Sequence, residues 1–294
     1  AEAGAKHLAL MARTAMPPRE DWPGLPEDHP NKEQIETIRE IEALGARVYP
    51  VAGDVSNAQS LSRALETLRG ECGLPIRGVL HAAGQVKLGP AVQAPSPDLP
   101  PVDINLPAKV LGTWRLHEQL ADAPLDFFVL FSSVSALLGS PAMAGYAAGN
   151  AFLDAFAHWR RGQGLPALSV NWGSWAGAGM AVRTEGAENL VQRGFREMAP
   201  AAALESLGRL LQQEAAQCMV FDGDWERLTR AFVNIGAAPF FEDVAVQTAR
   251  PSEGVSILDA VPEQRRALLE ARIQALSGEV LGIASEAVHL EQNV

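Results

Sequence analysis

Short apolar runs rich in β-branched and aromatic residues alternate with longer helical patterns along this chain, and that order predicts an α/β fold, a doubly wound parallel sheet with crossover helices. Two observations support it. The run DFFVLFS is uninterrupted by polar residues at alternate positions, which suits a strand covered on both faces. The helical segments between them are long enough to carry a chain back across a sheet in parallel strand order.

His7 to Met11 reads as the first strand, and Gly4 before it suits the end of a helix that begins ahead of Ala1. Thr14 to Pro30 is proline-rich and polar and is expected to be a long surface loop, because prolines lack the amide donor a strand or helix interior needs. Asn31 is placed to cap a helix in which Ile35, Ile38 and Leu44 form the apolar stripe and Gly45 the stop. A strand at Arg47 to Ala52 follows, then a helix from Asn57 to Arg69, a strand at Arg77 to Ala83, a helix around Asn105 to Leu120 and a strand at Asp126 to Ser132. The same alternation gives a helix at Met143 to Arg161, a strand at Ala167 to Trp172, a helix at Ala201 to Glu214 and a strand at Cys218 to Asp222. Residues Glu242 to Val261 read as a linker, and Pro262 opens an amphipathic helix to about Leu281.

Composition narrows the function. The chain carries 24 Lys plus Arg against 35 Asp plus Glu, a net charge of −11, and has no basic run, so a nucleic-acid surface is not expected. No apolar stretch approaches the roughly 20 residues that span a bilayer, and no signal-peptide order opens the chain, so a cytoplasmic protein without a membrane partner is expected. Cys72 and Cys218 have no metal-ligand spacing and are expected to be buried free thiols.

The chemistry gathers around Tyr146. Asn150 lies four residues later and shares its helical face, Ser133 ends a strand where open α/β sheets place ligand groups, and Lys109 stands in the preceding helix. A phenol, with an ordinary pKa of about 10, needs a nearby cation to act as an acid-base group near neutrality, and Lys109 is expected to supply it. Taken singly, each residue also reads as a core aromatic, a strand-end cap, a solvated charge or a surface amide. The joint spacing of 24, 13 and four residues between Lys109, Ser133, Tyr146 and Asn150 favours a site.

With GDVS (Gly53 to Ser56), GVLHAAG (Gly78 to Gly84), KVLGTWRLH (Lys109 to His117), FFVLFSSVSALLGSPAMAGYAAGNAFLDAFA (Phe127 to Ala157) and SVNWGSWAGAGM (Ser169 to Met180), this spacing resembles the ketoreductase domain of modular type I polyketide synthases, in the short-chain dehydrogenase/reductase superfamily with its Rossmann-like sheet. The resemblance runs from Ala1 to about Phe241. Asn150 stands where most of that superfamily carries lysine, with the lysine moved to Lys109, as in ketoreductases.

The resemblance implies NADPH-dependent reduction of a β-ketoacyl chain borne on the phosphopantetheine of an acyl carrier protein, with the other domains of the same synthase as partners. Tyr146 would be the proton donor, Ser133 a second donor to the same oxygen, Lys109 the group that lowers the Tyr146 pKa and contacts ribose, and Asn150 the holder of the lysine and a relay water. For the cofactor it implies Arg13 on the 2′-phosphate, Asp54 and Val55 at the adenine, His81, Ala82, Ala83 and Gly84 in the close-approach turn, and Trp172, Gly173 and Trp175 at the nicotinamide end, with His81 structural rather than catalytic. No metal is implied.

Three departures matter. The family's G-x-G-x-x-G loop and the strand before it are not in this chain; their place is ahead of Ala1, which weakens the expected cofactor site and keeps open a non-catalytic structural or docking domain. An epimerase-only domain is the other alternative, but that usually accompanies a damaged tetrad, and here the tetrad is whole. Neither stereochemical signature is present: Gln85, Val86, Lys87 and Leu88 replace the Leu-Asp-Asp region, and Leu138 stands where a Trp would. Ala181 to Met198 resembles the substrate lid. Pro262 to Val294 resembles the first helix and loop of an acyl carrier protein, without its attachment serine.

Overall fold

The computed structural model describes residues 1–86, 106–139, 143–177, 194–225, 227–228 and 261–281. The chain divides into two compact units, Ala1–Asn171 with Leu211–Cys218, and Trp172–Leu210 with Met219–Val294.

In the first unit, β1 (His7–Ala12) and β2 (Arg47–Ala52) pair in parallel over six residues, from His7 opposite Arg47 to Ala12 opposite Ala52. Between them runs α1 (Lys32–Ala43). Asn31 stands at its N-cap, but the side chain makes no capping bond and donates instead to Met16 Sδ at 3.5 Å. Ile35 and Ile38 are buried with Trp22 and Val48, as the periodicity requires. Leu44 departs from the predicted stripe: the helix ends at Ala43, Leu44 turns out at 53% exposure, and Ile41 packs in its stead. Gly45 supplies the stop with φ of 84°, a left-handed value that favours glycine.

The proline-rich segment is more ordered than a surface loop. Arg19–Gly24 forms a 3-10 helix that accommodates Pro23, and it buries Trp22, whose indole N–H donates to Pro17 O at 2.9 Å. Arg19 uses both Nη atoms on the Glu42 carboxylate and donates from Nη2 to Val48 O at 2.7 Å, while Val48 N donates to Glu42 Oε1 at 3.2 Å. The ion pair therefore takes the place of a neighbouring strand along the open edge of β2.

α2 (Ala58–Cys72) is capped by Asn57, which accepts from Ser60 N at 2.9 Å, and is closed by Gly73 in the left-handed region. β3 (Gly78–His81) pairs in parallel with β4 (Phe127–Ser133). α3 (Val110–Gln119), the short α4 (Ser135–Leu138) and α5 (Ala144–Gly162) surround them, followed by β5 (Leu168–Trp172), all of whose residues are buried. With β7 (Gln217–Val220) the order is β3-β4-β5-β7, a sheet separate from the β1-β2 pair. Leu61, Leu116, Phe128, Leu130, Leu153 and Phe156 form the heart of the core between this sheet and its helices.

Two-sided burial holds for β5 and for most of β4 but not for β1 and β3. Each of these has one paired neighbour among the described residues, and Leu10, Met11 and Leu80 remain exposed. Cys72 and Cys218 are free thiols, half-buried rather than fully enclosed.

The second unit contains β6 (Phe195–Arg196) antiparallel to β8 (Asp222–Gly223), α6 (Pro200–Leu210) and α7 (Pro262–Leu281). The strand expected from Cys218 to Asp222 is thus divided, ending as β7 at Val220 and resuming as β8 on a different partner. α7 has its expected limits, but no described residue in it is buried, and Leu269 and Ile273 are exposed. The linker expected over Glu242 to Val261 lies outside the described residues apart from Val261, as does the lid region over 181–193. No helix among the described residues is long and apolar enough to cross a membrane.

Candidate active site

Four of the predicted residues meet where β4, α3 and α5 converge. Tyr146 and Asn150 occupy the first turns of α5 and are both buried; Asn150 Nδ2 donates to Tyr146 O at 2.9 Å, the local bond expected between residues four apart on a helix. Asn150 Oδ1 is buried without a hydrogen-bond partner among the described residues, an acceptor left for a group not otherwise in the core. Ser133 ends β4, and its hydroxyl accepts from Ser135 N at 3.2 Å and Ser135 Oγ at 3.1 Å, which turns the chain into α4.

Lys109 immediately precedes α3 rather than lying within it. Only 1% of it is exposed. Its Nζ donates to Phe131 O at 2.9 Å and lies 5.6 Å from the centroid of the Tyr146 ring, so it joins β4 to α5. Burial lowers its pKa to about 8, against an opposing pull from Asp154.

Tyr146 differs from the sequence-based expectation. Burial raises its pKa, polar contacts with Asn150 and Ser133 work against that rise, and Lys109 is not among the groups that lower it. The ammonium donates to the Phe131 carbonyl and lies against the Tyr146 ring. A phenol of this kind stays protonated at neutral pH, the form a proton donor needs.

His81 is buried, with Nε2 donating to Ala108 O at 3.0 Å, which fixes the residue before Lys109. Burial and then the Lys109 charge bring its pKa down to about 4, leaving a neutral ring. A Cβ at Gly112 would stand 2.9 Å from Val55 Cγ1 and 3.5 Å from His81 Cε1, so α3 can close on these two residues because Gly112 has no side chain. Val55 and His81 therefore pack beneath α3.

The remaining cofactor candidates lie at strand ends. Arg13 follows β1 and is exposed; with the Gln85 amide oxygen turned toward it, Gln85 accepts from Arg13 Nη1 at 2.9 Å and Nη2 at 2.8 Å. Asp54 follows β2, and Oδ1 accepts from Ser56 N at 2.8 Å and Ser56 Oγ at 2.6 Å. Those bonds lower its pKa, the hydroxyl contributing most, with Arg13 and Arg115 adding smaller effects. Ala82 and Ala83 are exposed and Gly84 half-exposed. An exposed guanidinium, a carboxylate and small residues at successive strand ends fit the phosphate, hydroxyl and ring chemistry of a nucleotide.

Trp172 and Gly173 fall in the second unit. Trp172 meets Trp175 edge-on at 5.1 Å, and Gly173 N donates to Val220 O at 2.8 Å; a Cβ at Gly173 would come within 2.6 Å of Phe221 Cβ.

Sequence reasoning passed over Gln85 as a ligand of Arg13, and over a buried polar network behind the site. Asp154, 6% exposed on α5, accepts from Ser169 Oγ at 2.5 Å and from Asn171 Nδ2 at 2.7 Å. Asn171 Nδ2 also reaches Ser132 Oγ at 3.0 Å and Ser133 O at 3.3 Å, and Gln217 Nε2 donates to Asn171 Oδ1 at 2.9 Å. The available signal was an Asp eight residues after Tyr146, on the same helical face and inside the apolar run AFLDAFA.

The sequence profile described as the KR domain matches residues 1–177. This chain belongs to the KR domain family. A 6-methylsalicylic acid synthase of Aspergillus niger is 41% identical over 209 residues, covering 69% of this chain and 11% of that protein. An erythronolide synthase of Saccharopolyspora erythraea is 34% identical over 270 residues, covering 92% of this chain and 8% of that protein. The chain thus spans about a tenth of the length of these relatives, which are multidomain synthases. Among solved structures, a ketoreductase from the first module of phoslactomycin biosynthesis in Streptomyces sp. HK803 aligns with a TM-score of 0.67 at 34% identity, over 83% of this chain and 54% of that one. An A1-type ketoreductase aligns with a TM-score of 0.64 at 37% identity, over 79% and 45%. KR domains are oxidoreductases of polyketide synthases that reduce β-keto groups, and their fold goes with a nicotinamide cofactor.

Proposed function

We propose that this KR domain reduces a β-ketoacyl thioester, carried on the phosphopantetheine of an acyl carrier protein, to the β-hydroxyacyl thioester with NADPH. The observation that carries the reading is the junction of β4, α3 and α5, where a protonated Tyr146 contacts Ser133 above a buried Lys109. NADPH, when bound, supplies the hydride. Tyr146 gives its proton to the carbonyl oxygen as negative charge builds there, and the Ser133 hydroxyl donates a second hydrogen bond to that oxygen. Lys109, its ammonium against the Tyr146 ring and donating to Phe131 O, holds positive charge at the site. Asn150 Oδ1 accepts from the donor that returns a proton to Tyr146.

Arg13 pairs with the 2′-phosphate, which is the basis for NADPH over NADH, and Asp54, Val55 and the Ala82–Gly84 turn lie along the adenosine. Trp172 and Gly173 serve the nicotinamide end. The enzyme would act in the cytoplasm, within a larger synthase. Pro262 to Val294 opens an acyl carrier protein domain, a reading supported by the helix Pro262–Leu281.

The test is NADPH oxidation by the full chain given a β-ketoacyl thioester. Tyr146→Phe, which keeps the ring and removes the proton, lowers the turnover by about 100-fold or more. An unchanged rate overturns the assignment of the proton donor.

A further inference from the structure

Asp154 lies outside the four residues to which the reductase reading gives a chemical role, yet it is the carboxylate buried directly behind them. It stands on α5 two steps of four residues beyond Tyr146 and one beyond Asn150, so the three share a face. Both of its oxygens are occupied by neutral donors, Ser169 Oγ at 2.5 Å and Asn171 Nδ2 at 2.7 Å. No cation lies within ion-pair distance of it among the described residues. A buried carboxylate with only neutral donors is an expensive way to hold two strands and a helix together, since an amide in the same place would fill the same space. What the carboxylate adds is negative charge.

We infer that Asp154 is a positioning residue of this site, a buried anion that fixes the C-terminal end of β4 against α5 through Asn171 and acts at a distance as the counter-charge of Lys109. The first half follows from the bonds: Asn171, held by Asp154, reaches both Ser132 Oγ and Ser133 O, so the strand end that presents the Ser133 hydroxyl is set from behind. Ser132 Oγ closes the loop by donating to Asn150 O at 3.3 Å.

The second half follows from the surroundings of Lys109. From β3 it has His81 near it, whose ring is neutral; from β4 it meets the Phe131 carbonyl and from α5 the Tyr146 ring, and the charge of Asp154, buried on the same helix α5, acts on it. Asp154 is the acidic group in that set and the one that opposes the loss of the Lys109 proton on burial. With an amide in its place, the hydrogen bonds to Ser169 and Asn171 can be kept while Lys109 is neutral at a lower pH.

The inference rests on the reductase reading for its consequence but not for its measurement. The chain has four lysines, Lys6, Lys32, Lys87 and Lys109, so the ε-carbon signals of isotope-labelled lysine can be followed individually, with Lys109 assigned by its loss in Lys109→Met. Asp154→Asn preserves volume and can keep the Ser169 and Asn171 contacts. The expected result is that Lys109 titrates about one pH unit lower in Asp154→Asn than in the unaltered chain. If the reductase reading holds, the alkaline limb of kcat moves with it and the rate at pH 8 falls about fivefold, while the rates converge toward pH 6.

A purely structural Asp154 would lower the melting temperature and leave the Lys109 titration in place, and that result overturns the inference. A shifted titration in a chain that reduces no ketone leaves the inference standing and removes the reductase reading instead. Should Asp154→Asn not fold, the carboxyl carbon signal of Asp154 in the unaltered chain carries the test. A step in that signal at the pH where Lys109 loses its proton supports the coupling, and a signal without such a step overturns it.

Discussion

Replacing Lys109 with methionine should make the fold more stable while removing activity. The amine is buried, and its pKa falls from 10.5 to about 8. That difference corresponds to about 3 kcal/mol by which the fold disfavours the charged form relative to the unfolded chain. The folded value lies below the unfolded one, so the folded state binds fewer protons. The penalty is fully present below pH 8 and fades as pH rises toward 10.5. Methionine has a similar length and no charge, and its main loss is the hydrogen bond to Phe131 O, worth about 1 kcal/mol. Lys109→Met should therefore gain about 2 kcal/mol near pH 7, and that advantage should shrink by about 2 kcal/mol by pH 10. Urea denaturation followed by tryptophan fluorescence, at the two pH values on both proteins, measures it directly. A variant less stable than the parent at pH 7, or a difference indifferent to pH, refutes the reasoning that Lys109 is a buried cation held at a cost for its chemistry.

Two other expectations concern the N-terminal half. Burial of the Arg19–Glu42 pair is partial, with side-chain exposures of 45% and 29%, so Glu42→Gln should cost no more than about 1 kcal/mol at neutral pH. The Glu42 pKa is lowered, chiefly by its hydrogen bond to Arg19, so its contribution is present above the unfolded value of 4.5 and lost as pH falls through the folded value. Melting curves of parent and variant should then converge in acid, and a gap that persists at pH 3 contradicts the assignment. Arg13→Ala should raise KM for NADPH about tenfold or more, the loss of a charge-assisted bond, and leave KM for NADH unchanged. Equal effects on the two cofactors, measured by steady-state kinetics, remove Arg13 from the 2′-phosphate.

The elements that could be read locally were those set by neighbours in sequence. The strand Arg47–Ala52, the cap at Asn57 and the stop at Gly45 each depend on residues within a turn or two, and each stands where periodicity and turn chemistry put it. Leu44 was misjudged because the stripe was carried one residue past the point where the helix ends. Trp22 was missed because a proline-rich segment gives no periodic signal, while the apolar residues that bury it, Ile35, Ile38 and Val48, arrive later in the chain.

The candidate site divides in the same way. Residue types and spacing, with the family resemblance, singled out Lys109, Ser133, Tyr146 and Asn150 as candidates. Their state belongs to the tertiary structure. Whether Tyr146 has a raised or lowered pKa depends on how completely α5 and β4 enclose it, and where the Lys109 ammonium points depends on the Phe131 carbonyl 22 residues away. Asp154 and Asn171 gain their meaning from hydrogen bonds between β4, α5 and β5 that span 17 to 39 residues of sequence. The sequence by itself determined which chemical groups this protein carries and the alternation that makes an α/β sheet; only the folded core decided which of those groups are charged, because desolvation and partner distance exist only once distant segments have packed.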